Sequence, residues 1–329
     1  MLAAGMAAEH GARVTLLERG PKTGRKLRLT GKGRCNLTNA GDVEAFIRAF
    51  GSNGRFLYGA FSRFFRNELL ALLGRYGVTT KTERGGRVFP VSDSALDVAA
   101  ALERWLHDCH VDVRLNTRVR GLLRDNGSIS GVDLYHGSMD AGAVIVATGG
   151  LSYPRTGSTG DGYDLAAAVG HTIAPTSPAL APMLTAEAWT ADLSGLALKN
   201  VSASLVTRST GRVIASEQGE MLFTHQGVSG PIILTLSRSL RGADESLDLL
   251  IDLKPALTAE DLRARFVRDF RRAIQFSTYA RELAPRSLAA LLPDLTGIPA
   301  DTRLSQNTTP PPVQRAHDPA LVVGVDLRE

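Results

Sequence analysis

The feature that most constrains the fold is a helix, a short strand and a glycine-rich loop that follow one another near the start of the chain. Residues 2–10 carry small side chains in a helical pattern, and Gly11 is a typical residue to end it. Residues 13–18 form an apolar strand pattern that ends in an acid, Glu18. A loop rich in glycine and basic residues then runs to Asn39. This order predicts an α/β unit whose loop leaves the end of a strand.

Glu18 has a structural and a functional interpretation. An acid at a strand end is often a plain surface residue, whereas in nucleotide-binding βαβ units it hydrogen-bonds a ribose hydroxyl. In such units a glycine fingerprint comes directly before the helix. This sequence shows none before the helical pattern that starts at residue 2. We therefore expect a chain that begins inside the unit's first helix, without about ten to fifteen residues of strand and turn.

The loop 24–39 has residues suited to an anionic ligand. Gly31 and Gly33 let the backbone approach a flat or charged group. Arg25, Lys26 and Arg34 can meet phosphate charge. A P-loop is excluded, because it would need glycine in place of Lys26 and serine or threonine in place of Gly33.

Periodicity elsewhere predicts helices, then strands, then helices again. Helical spacing is expected over 43–76, over 94–110 with Ser92 or Ser94 as the cap, from about Asp161, and over 258–293. Strands are expected over 111–115, 117–124, 129–135, 143–147, 200–207, 212–217 and 219–224, with a hairpin turn at 125–127. The pattern indicates an α/β beginning, a β-rich insertion and a helical segment.

Three separated blocks, 18–39, 147–163 and 219–231, together resemble one family. They contain Gly-Lys-Gly-Arg-Cys-Asn at 31–36, Ala-Thr-Gly-Gly at 147–150 and Met-Leu-Phe-Thr-His at 221–225. The sequence is similar to the bacterial NAD(P)/FAD-dependent oxidoreductase family that includes BaiN-like and aminoacetone-oxidase-type flavoproteins. Three ordered blocks are far more specific than one glycine motif, and the resemblance covers about residues 1–295.

The resemblance implies an α/β fold with a Rossmann-type FAD-binding domain, its first strand and glycine loop missing, an inserted β-rich domain and a helical segment. The expected boundaries are 1–185 for the incomplete FAD domain, 186–256 for the β-rich domain, 257–308 for the helical segment and 309–329 for an irregular tail. The tail is expected to begin the return to the FAD domain.

The resemblance also implies which residues contact the cofactor. Glu18 would hold the adenosine ribose, and Arg25 and Lys26 would lie near the adenosine diphosphate. The path toward the flavin would be lined by Thr30, Gly31, Gly33, Arg34, Cys35 and Asn36. Further contacts are expected from the Val119 backbone near the adenine and from Ala147, Thr148 and Gly149, with Tyr153 and Arg155 as substrate-side candidates by position.

The implied cofactor is FAD, with NAD(P)H as a candidate electron donor and a small molecule as substrate. A flavin supplies the chemistry while the protein orients donor and ring, so no side chain is named as a catalytic acid or base. His225 is interpreted as a structural hydrogen-bonder, because the sequence fixes no acid partner for it. The glycines near 149–162 could equally serve only to turn the chain.

Both ends of the chain depart from the family pattern, so we expect a truncated form with impaired cofactor binding. A glycine-rich segment that would close over the flavin is not found before Glu329. Two other hypotheses remain open: a non-catalytic remnant that acts as an interaction protein, and a basic protein that binds a polyanion.

Composition narrows the partners. The net charge is +5, but the basic residues are interleaved with acids and form no run of five, so no nucleic-acid partner is expected. No stretch approaches the roughly 20 apolar residues of a membrane span. Cys35 and Cys109 are too few for a disulfide framework, and Cys35 has no second thiol nearby for a metal site. A cytoplasmic location is expected, and the oligomeric state is left open.

Overall fold

The computed structural model describes residues 1–240, 246–306 and 320–325. The chain divides into two compact units, Met1–Ala174 and Pro175–Glu329. The four-segment division expected from the sequence stays a prediction, and most of its tail, 309–329, lies outside the described residues.

The first unit contains six α-helices and eight strands within its described residues. Its helices are α1 Leu2–Glu9, α2 Val43–Ala49, α3 Tyr58–Phe61, α4 Arg66–Arg75, α5 Ala95–Asp108 and α6 Asp161–Ala168. Its strands are β1 Thr15–Leu17, β2 Thr38–Asn39, β3 Thr80–Thr82, β4 Arg87–Pro90, β5 Asp112–Arg114, β6 Val119–Asp125, β7 Ser128–Leu134 and β8 Gly137–Asp140. Short 3-10 turns cover Leu27–Gly33, Gly51–Leu57, Arg84–Gly86 and Pro154–Thr156.

The start of the chain folds as its pattern predicts. β1 pairs in parallel with β5, with Leu16 opposite Val113. Helix α5 begins at its cap Ser94, whose hydroxyl accepts from the Asp97 amide, and buries one apolar face. Gly5 of α1 lies so close to the fully buried Trp105 of α5 that a Cβ there would fall 2.4 Å from the indole. The packing of α1 on α5 therefore depends on the absence of a side chain at residue 5.

Two small antiparallel sheets complete the first unit. One has the strand order β2-β4-β3 and the other β6-β7-β8. Asn126 and Gly127 take positive φ values of 48° and 81° at the predicted hairpin turn between β6 and β7, as such turns require. Strands β2, β3, β4 and β8 were not expected from the sequence, because each is too short to show an alternating pattern.

Residues 43–76 are largely helical, as expected, but the helix is interrupted. Residues 43–75 form α2, a 3-10 turn, α3 and α4 instead of one continuous helix. Gly54 explains the close turn, since a Cβ there would lie 1.9 Å from the carbonyl oxygen of Ile47. Aromatic rings at three- and four-residue spacing pack within this folded-back group rather than along one helix face.

The expected strand over 143–147 is wrong. This segment has no regular secondary structure, and Ile145 and Val146 are 64% and 40% exposed. Apolar content is not sufficient for a strand, because each strand needs a neighbour to pair its backbone groups. β1 and β5 form a two-stranded sheet in the described structure, and neither pairs with this segment.

The second unit is built on a six-stranded antiparallel sheet with the order β14-β13-β10-β11-β12-β9. Its strands are β9 Met183–Leu184, β10 Ala197–Thr207, β11 Val213–Thr224, β12 Gly227–Ser229, β13 Leu247–Asp252 and β14 Ala320–Val325. Its helices are α7 Trp189–Asp192, α8 Pro231–Leu236, α9 Ala259–Asp269, α10 Phe276–Leu283 and α11 Arg286–Thr296, with 3-10 turns at Ser237–Leu240 and Leu304–Gln306.

This unit agrees with the predicted β-rich and helical segments. Alternating residues of β10 and β13, such as Leu205 and Leu249, are fully buried in its core. The helical stretch expected over 258–293 is divided into α9, α10 and α11. β14, in the predicted tail, pairs with β13 at the edge of the sheet. Within the described residues, no helix is both long and apolar enough to cross a membrane.

Candidate functional site

Glu18 stands at the end of β1, where the backbone fixes it on both sides. Its amide donates to the Arg114 carbonyl, and its own carbonyl accepts from the Thr117 amide, each at 2.9 Å. Its carboxylate oxygen Oε1 accepts from the Gly20 amide at 2.7 Å. The side chain is only partly buried. A strand-end acid held in this way can present its second oxygen to a hydroxyl group.

Gly20 brings Glu18 and Arg25 together. Gly20 is buried, and a Cβ there would lie 3.2 Å from Glu18 Oε1 and 3.1 Å from Arg25 Cδ. The Arg25 guanidinium reaches on to donate to the carbonyl of Arg155 at 2.7 Å. The missing side chain at residue 20 therefore leaves room for an acid and a base on either side of one turn.

Lys26 joins the same two segments of chain. Its Nζ donates to the Ser152 carbonyl at 2.8 Å, and a Cβ on Gly149 would lie 3.9 Å from that nitrogen. Both Arg25 and Lys26 are held by neutral main-chain oxygens. Their positive charges are therefore not cancelled by these contacts and can still attract an anion.

Asp161 makes a third link between these segments, whereas the sequence pattern indicated only that a helix begins near it. Its carboxylate accepts from the Thr159 hydroxyl and forms ion pairs with Arg19 at 3.2 Å and Arg118 at 3.1 Å. The Thr159 hydroxyl, followed by the charges of the two arginines, lowers the pKa of Asp161 below its ordinary value. A carboxylate that stays ionised ties residues 18–20, 116–119 and 157–161 into one group.

The loop after Lys26 has an unusual backbone. Gly31, Lys32, Gly33 and Cys35 all have positive φ values, between 58° and 87°. Two constraints favour glycine at residue 31: its φ is positive, and a Cβ there would lie 2.8 Å from the Phe89 ring. A Cβ on Gly33 would meet nothing within 4 Å, so at that position only the conformation favours glycine.

Cys35 is a structural residue of this loop. Its side chain is fully buried, and its amide donates to the Thr30 carbonyl at 3.0 Å. Burial raises the pKa of the Cys35 thiol, which keeps it protonated near neutral pH. Thr30 in turn donates its hydroxyl to the Leu27 carbonyl at 2.8 Å. Cys35 and Thr30 therefore contribute to the structure of the loop itself.

Arg34 is placed differently from Arg25 and Lys26. Its guanidinium lies 2.8 Å from Glu83 and 3.3 Å from Asp93, and it stacks 4.1 Å from the centre of the Phe89 ring. Two carboxylates compensate its charge, so its main contribution is to fix the loop against β4. These three partners could not be predicted, because Phe89 lies in β4 and the two acids flank β3 and β4, which are too short to show an alternating pattern.

The remaining predicted residues lie near these links or on the surface. Asn36 is exposed, and its backbone nitrogen would lie 3.1 Å from a Cβ on Gly31. Val119 begins β6. It lies two residues after Thr117, whose backbone amide donates to the Glu18 carbonyl. Tyr153 is 70% exposed with a φ of 54°. The segment of Ala147, Thr148 and Gly149 is exposed, and a Cβ on Gly149 would lie 2.6 Å from the Ser158 hydroxyl.

The structure thus joins the strand-end acid, Arg25 and Lys26 to the segment 149–161. It adds Arg19, Asp161 and Arg118, which sequence reasoning did not single out; the adjacency of Arg19 to Glu18 was the only signal available. The assignment of each residue to a cofactor contact stays a prediction. Within the described parts of the chain, no three His, Cys, Asp or Glu side chains are grouped to hold a metal ion.

These residues fit the adenosine diphosphate portion of FAD. A partly buried carboxylate, a glycine that leaves space beside it and two uncompensated cations match a ribose hydroxyl and a pyrophosphate. The loop 31–36 fits less directly, because Phe89 and Ser158 already account for the glycines at 31 and 149.

Comparison with known proteins gives matches over most of the chain. Residues 1–269 match the family model described as the HI0933-like protein Rossmann domain. The chain is 33% identical over 260 residues to 3-dehydro-bile acid delta(4,6)-reductase from Clostridium scindens, a match that covers 78% of this chain and 61% of that protein. It is 30% identical over 311 residues to ribosomal RNA dihydrouridine synthase from Escherichia coli, covering 93% of this chain and 73% of that protein.

Among solved structures, the open conformation of a flavocytochrome c3 fumarate reductase aligns with 98% of this chain and 64% of its own, at 18% identity and a TM-score of 0.39. A TM-score at that level adds nothing to the sequence matches. The family match confirms the predicted resemblance and the Rossmann-type fold class, and it supports an FAD-dependent oxidoreductase in general terms.

Proposed function

This chain belongs to the HI0933-like Rossmann family, and we propose that it reduces a carbon–carbon double bond conjugated to a carbonyl group, using FAD and NAD(P)H. The observation that carries the proposal is the group formed by Glu18, Arg25 and Lys26 with the segment 149–161, which offers the contacts that an adenine dinucleotide needs. The family membership supports FAD as that dinucleotide.

The reaction type is supported by what the two relatives' names have in common. A 3-dehydro bile acid with double bonds at positions 4 and 6 has those bonds conjugated to the 3-ketone. Dihydrouridine is uridine with the C5–C6 bond reduced, and that bond is conjugated to the C4 carbonyl. Both reactions add a hydride to one carbon of the double bond and a proton to the other. A flavin held by this chain would supply the hydride, and NAD(P)H would be the source of its two electrons.

In this proposal, the residues of this chain bind the cofactor and orient it. Glu18 holds a ribose hydroxyl through the oxygen that the Gly20 amide leaves available. Arg25 and Lys26 meet the pyrophosphate without breaking an ion pair, since their present partners are carbonyl oxygens. Asp161 keeps Arg19 and Arg118 in place behind this group. Tyr153 and Arg155, on the exposed turn that Arg25 contacts, are the substrate-side candidates.

A turnover assay tests the reaction. The purified protein, saturated with FAD and kept anaerobic, is mixed with NADH or NADPH and with either a steroid carrying a 3-oxo-4,6-diene or a uridine-containing RNA. We expect one of the two products to gain two hydrogens by mass spectrometry. If FAD binds and is reduced while neither double bond is, the proposed reaction is wrong.

A charge variant tests the placement of the cofactor. Lys26→Met removes a cation from the proposed pyrophosphate position. Lys22→Met removes an exposed cation just before the loop, one with no hydrogen bond or ion pair in the described structure. Because a charge-assisted hydrogen bond contributes about 1.5–3 kcal/mol, Lys26→Met should weaken FAD binding by about tenfold or more. Lys22→Met should leave the dissociation constant within about twofold, by the small effect of exposed charges. Equal effects of the two changes would contradict the placement.

A further inference from the structure

The second unit has an open cavity of about 450 Å³ beside helices α9 and α10. A volume of this size is within the range of small-molecule sites. No residue of the candidate cofactor site borders it, because that site lies in the first unit. The charged side chains of the lining are Asp261, Arg265, Arg268, Asp269, Arg272 and Glu282. Such a lining is suited to a charged ligand.

Asp269 anchors this lining to the core of the unit. It is buried, and its carboxylate accepts from the Tyr279 hydroxyl at 3.1 Å. Tyr279 is itself fully buried, and its ring centre lies 6.3 Å from that of Phe266 and 6.1 Å from that of Phe270. The position of the Asp269 carboxylate is therefore fixed by packed aromatic side chains.

Two arginines share this one carboxylate. The Nε atom of Arg265 lies 3.4 Å from one oxygen of Asp269, and the Nε atom of Arg268 lies 3.3 Å from the other. In the part of the chain that the structure describes, Nε is the only side-chain nitrogen of either arginine that makes a hydrogen bond. The terminal amino groups of both guanidinium groups are therefore available to a ligand.

The other two acids of the lining are engaged elsewhere. Glu282 accepts from Arg272 with both oxygens, at 2.7 and 2.8 Å. Asp261 accepts from the Thr258 hydroxyl and amide at the start of α9, and among the described residues it forms no ion pair with Arg265. An excess of one positive charge therefore remains where Arg265 and Arg268 meet.

We propose that this cavity binds a phosphate group, free or as the monoester of a small organic molecule, through Arg265 and Arg268. A guanidinium group presents paired N–H donors that match two phosphate oxygens. Because Asp269 already holds both arginines, less side-chain entropy is lost when the ligand binds. Among the described residues, the lining contains no aromatic ring on which a nucleobase could stack, so the phosphate is the part that is recognised.

Binding is measured on the full chain without FAD, by phosphorus NMR titration at low salt with inorganic phosphate and, separately, with glucose 6-phosphate. Arg268→Gln should weaken binding about tenfold, the lower end for a charge-assisted hydrogen bond, because this side chain is 74% exposed. Arg271→Gln is the matched control, since Arg271 is exposed just beyond α9 and outside the lining. It should leave the dissociation constant within about twofold.

A variant of opposite sign sharpens the test. Glu282→Gln removes a negative charge from the lining and leaves Arg272 without its carboxylate. Phosphate affinity should rise by about 1.5- to 5-fold, the range for one partly exposed charge pair. Glu260→Gln removes an exposed acid of α9 that lies outside the lining, and it should leave the affinity unchanged.

The two ligands identify the source of the phosphate. Tighter binding of glucose 6-phosphate assigns the cavity to a monoester, and tighter binding of inorganic phosphate assigns it to the free ion; the proposal stands in both cases. It is overturned if neither ligand binds, or if Arg268→Gln and Arg271→Gln weaken binding equally. It is also overturned if Lys26→Met removes the binding, because the phosphate would then occupy the cofactor site. Circular dichroism shows that each variant is folded, and no turnover is measured, so the result is independent of the proposed function.

Discussion

Replacing Gly5 with alanine should destabilise the first unit, although alanine is the better helix former. In a helix interior, alanine is favoured over glycine by about 0.5–1 kcal/mol. Against this, the new Cβ would lie 2.4–2.6 Å from three carbon atoms of the Trp105 ring, where carbon atoms normally stay about 3.5–4.0 Å apart. The indole has little freedom to move, because it is fully buried and its Nε1 donates to Glu9 at 2.9 Å.

Overpacking of a filled core costs about 1–3 kcal/mol. The net effect of Gly5→Ala should therefore be a loss of about 1–2 kcal/mol in the free energy of unfolding. For a unit of this size that corresponds to a fall of about 2–8 °C in melting temperature. The change is measured by urea unfolding and by thermal melting followed with circular dichroism.

Gly74→Ala is the matched control. Gly74 lies in α4, is exposed, and a Cβ there would have nothing within 4 Å. Only the helix propensity then acts, so this variant should gain up to about 1 kcal/mol. In a Trp105→Phe background, Gly5→Ala should cost less, because the smaller ring relieves the contact. If Gly5→Ala raised the midpoint as Gly74→Ala does, α1 would not pack on Trp105 as described.

Two further predictions concern titrating groups. Asp161→Asn should lower the free energy of unfolding by about 1–2 kcal/mol near neutral pH, whereas the exposed Asp164→Asn in the same helix should change it little. The pKa of Asp161 is lowered in the folded state, so its contribution to the free energy of unfolding is complete above the ordinary aspartate pKa and disappears as the pH falls through the lowered pKa. If Asp161→Asn remained less stable than wild type in stronger acid, this reasoning would be refuted. Burial and the bond to Asp269 raise the pKa of Tyr279 to about 12, so the protein should lose stability as the pH rises from about 10 toward 12. Tyr279→Phe should remove part of that alkaline loss in urea unfolding, and an equal effect of Tyr135→Phe would contradict the assignment.

Much of the fold could be predicted because local signals agreed with tertiary pairing. The helix before Gly11, the strand ending at Glu18, the Ser94 cap and the turn at Asn126 each depend on nearest neighbours in sequence. The segment 143–147 failed for the opposite reason: its residues suit a buried strand, but strand formation depends on a partner that a sequence pattern does not reveal.

The candidate site shows the same division. The region of Glu18 and Lys26 was proposed from residue type and spacing, and the structure brings both close to the segment 149–161. The pairing of Arg34 with Glu83 and Asp93 could not be, because it joins residues about 50 to 60 positions apart through a strand pair without a pattern. Residues 43–76 were expected to be helical from the three- and four-residue spacing of their apolar side chains, and such a spacing does not show where the chain folds back.

The ion pair between Arg19 and Asp161 has a consequence for the order in which the polypeptide is made. These residues are 142 positions apart, and the parallel pairing of β1 with β5 also spans a long intervening stretch. During translation at about 5–20 residues per second, the segment around Glu18 must wait roughly seven to thirty seconds before Asp161 leaves the ribosome. The segment around Glu18 is thus among the last parts of its unit to complete its contacts, and a nascent chain would benefit from a chaperone that shields it over that interval.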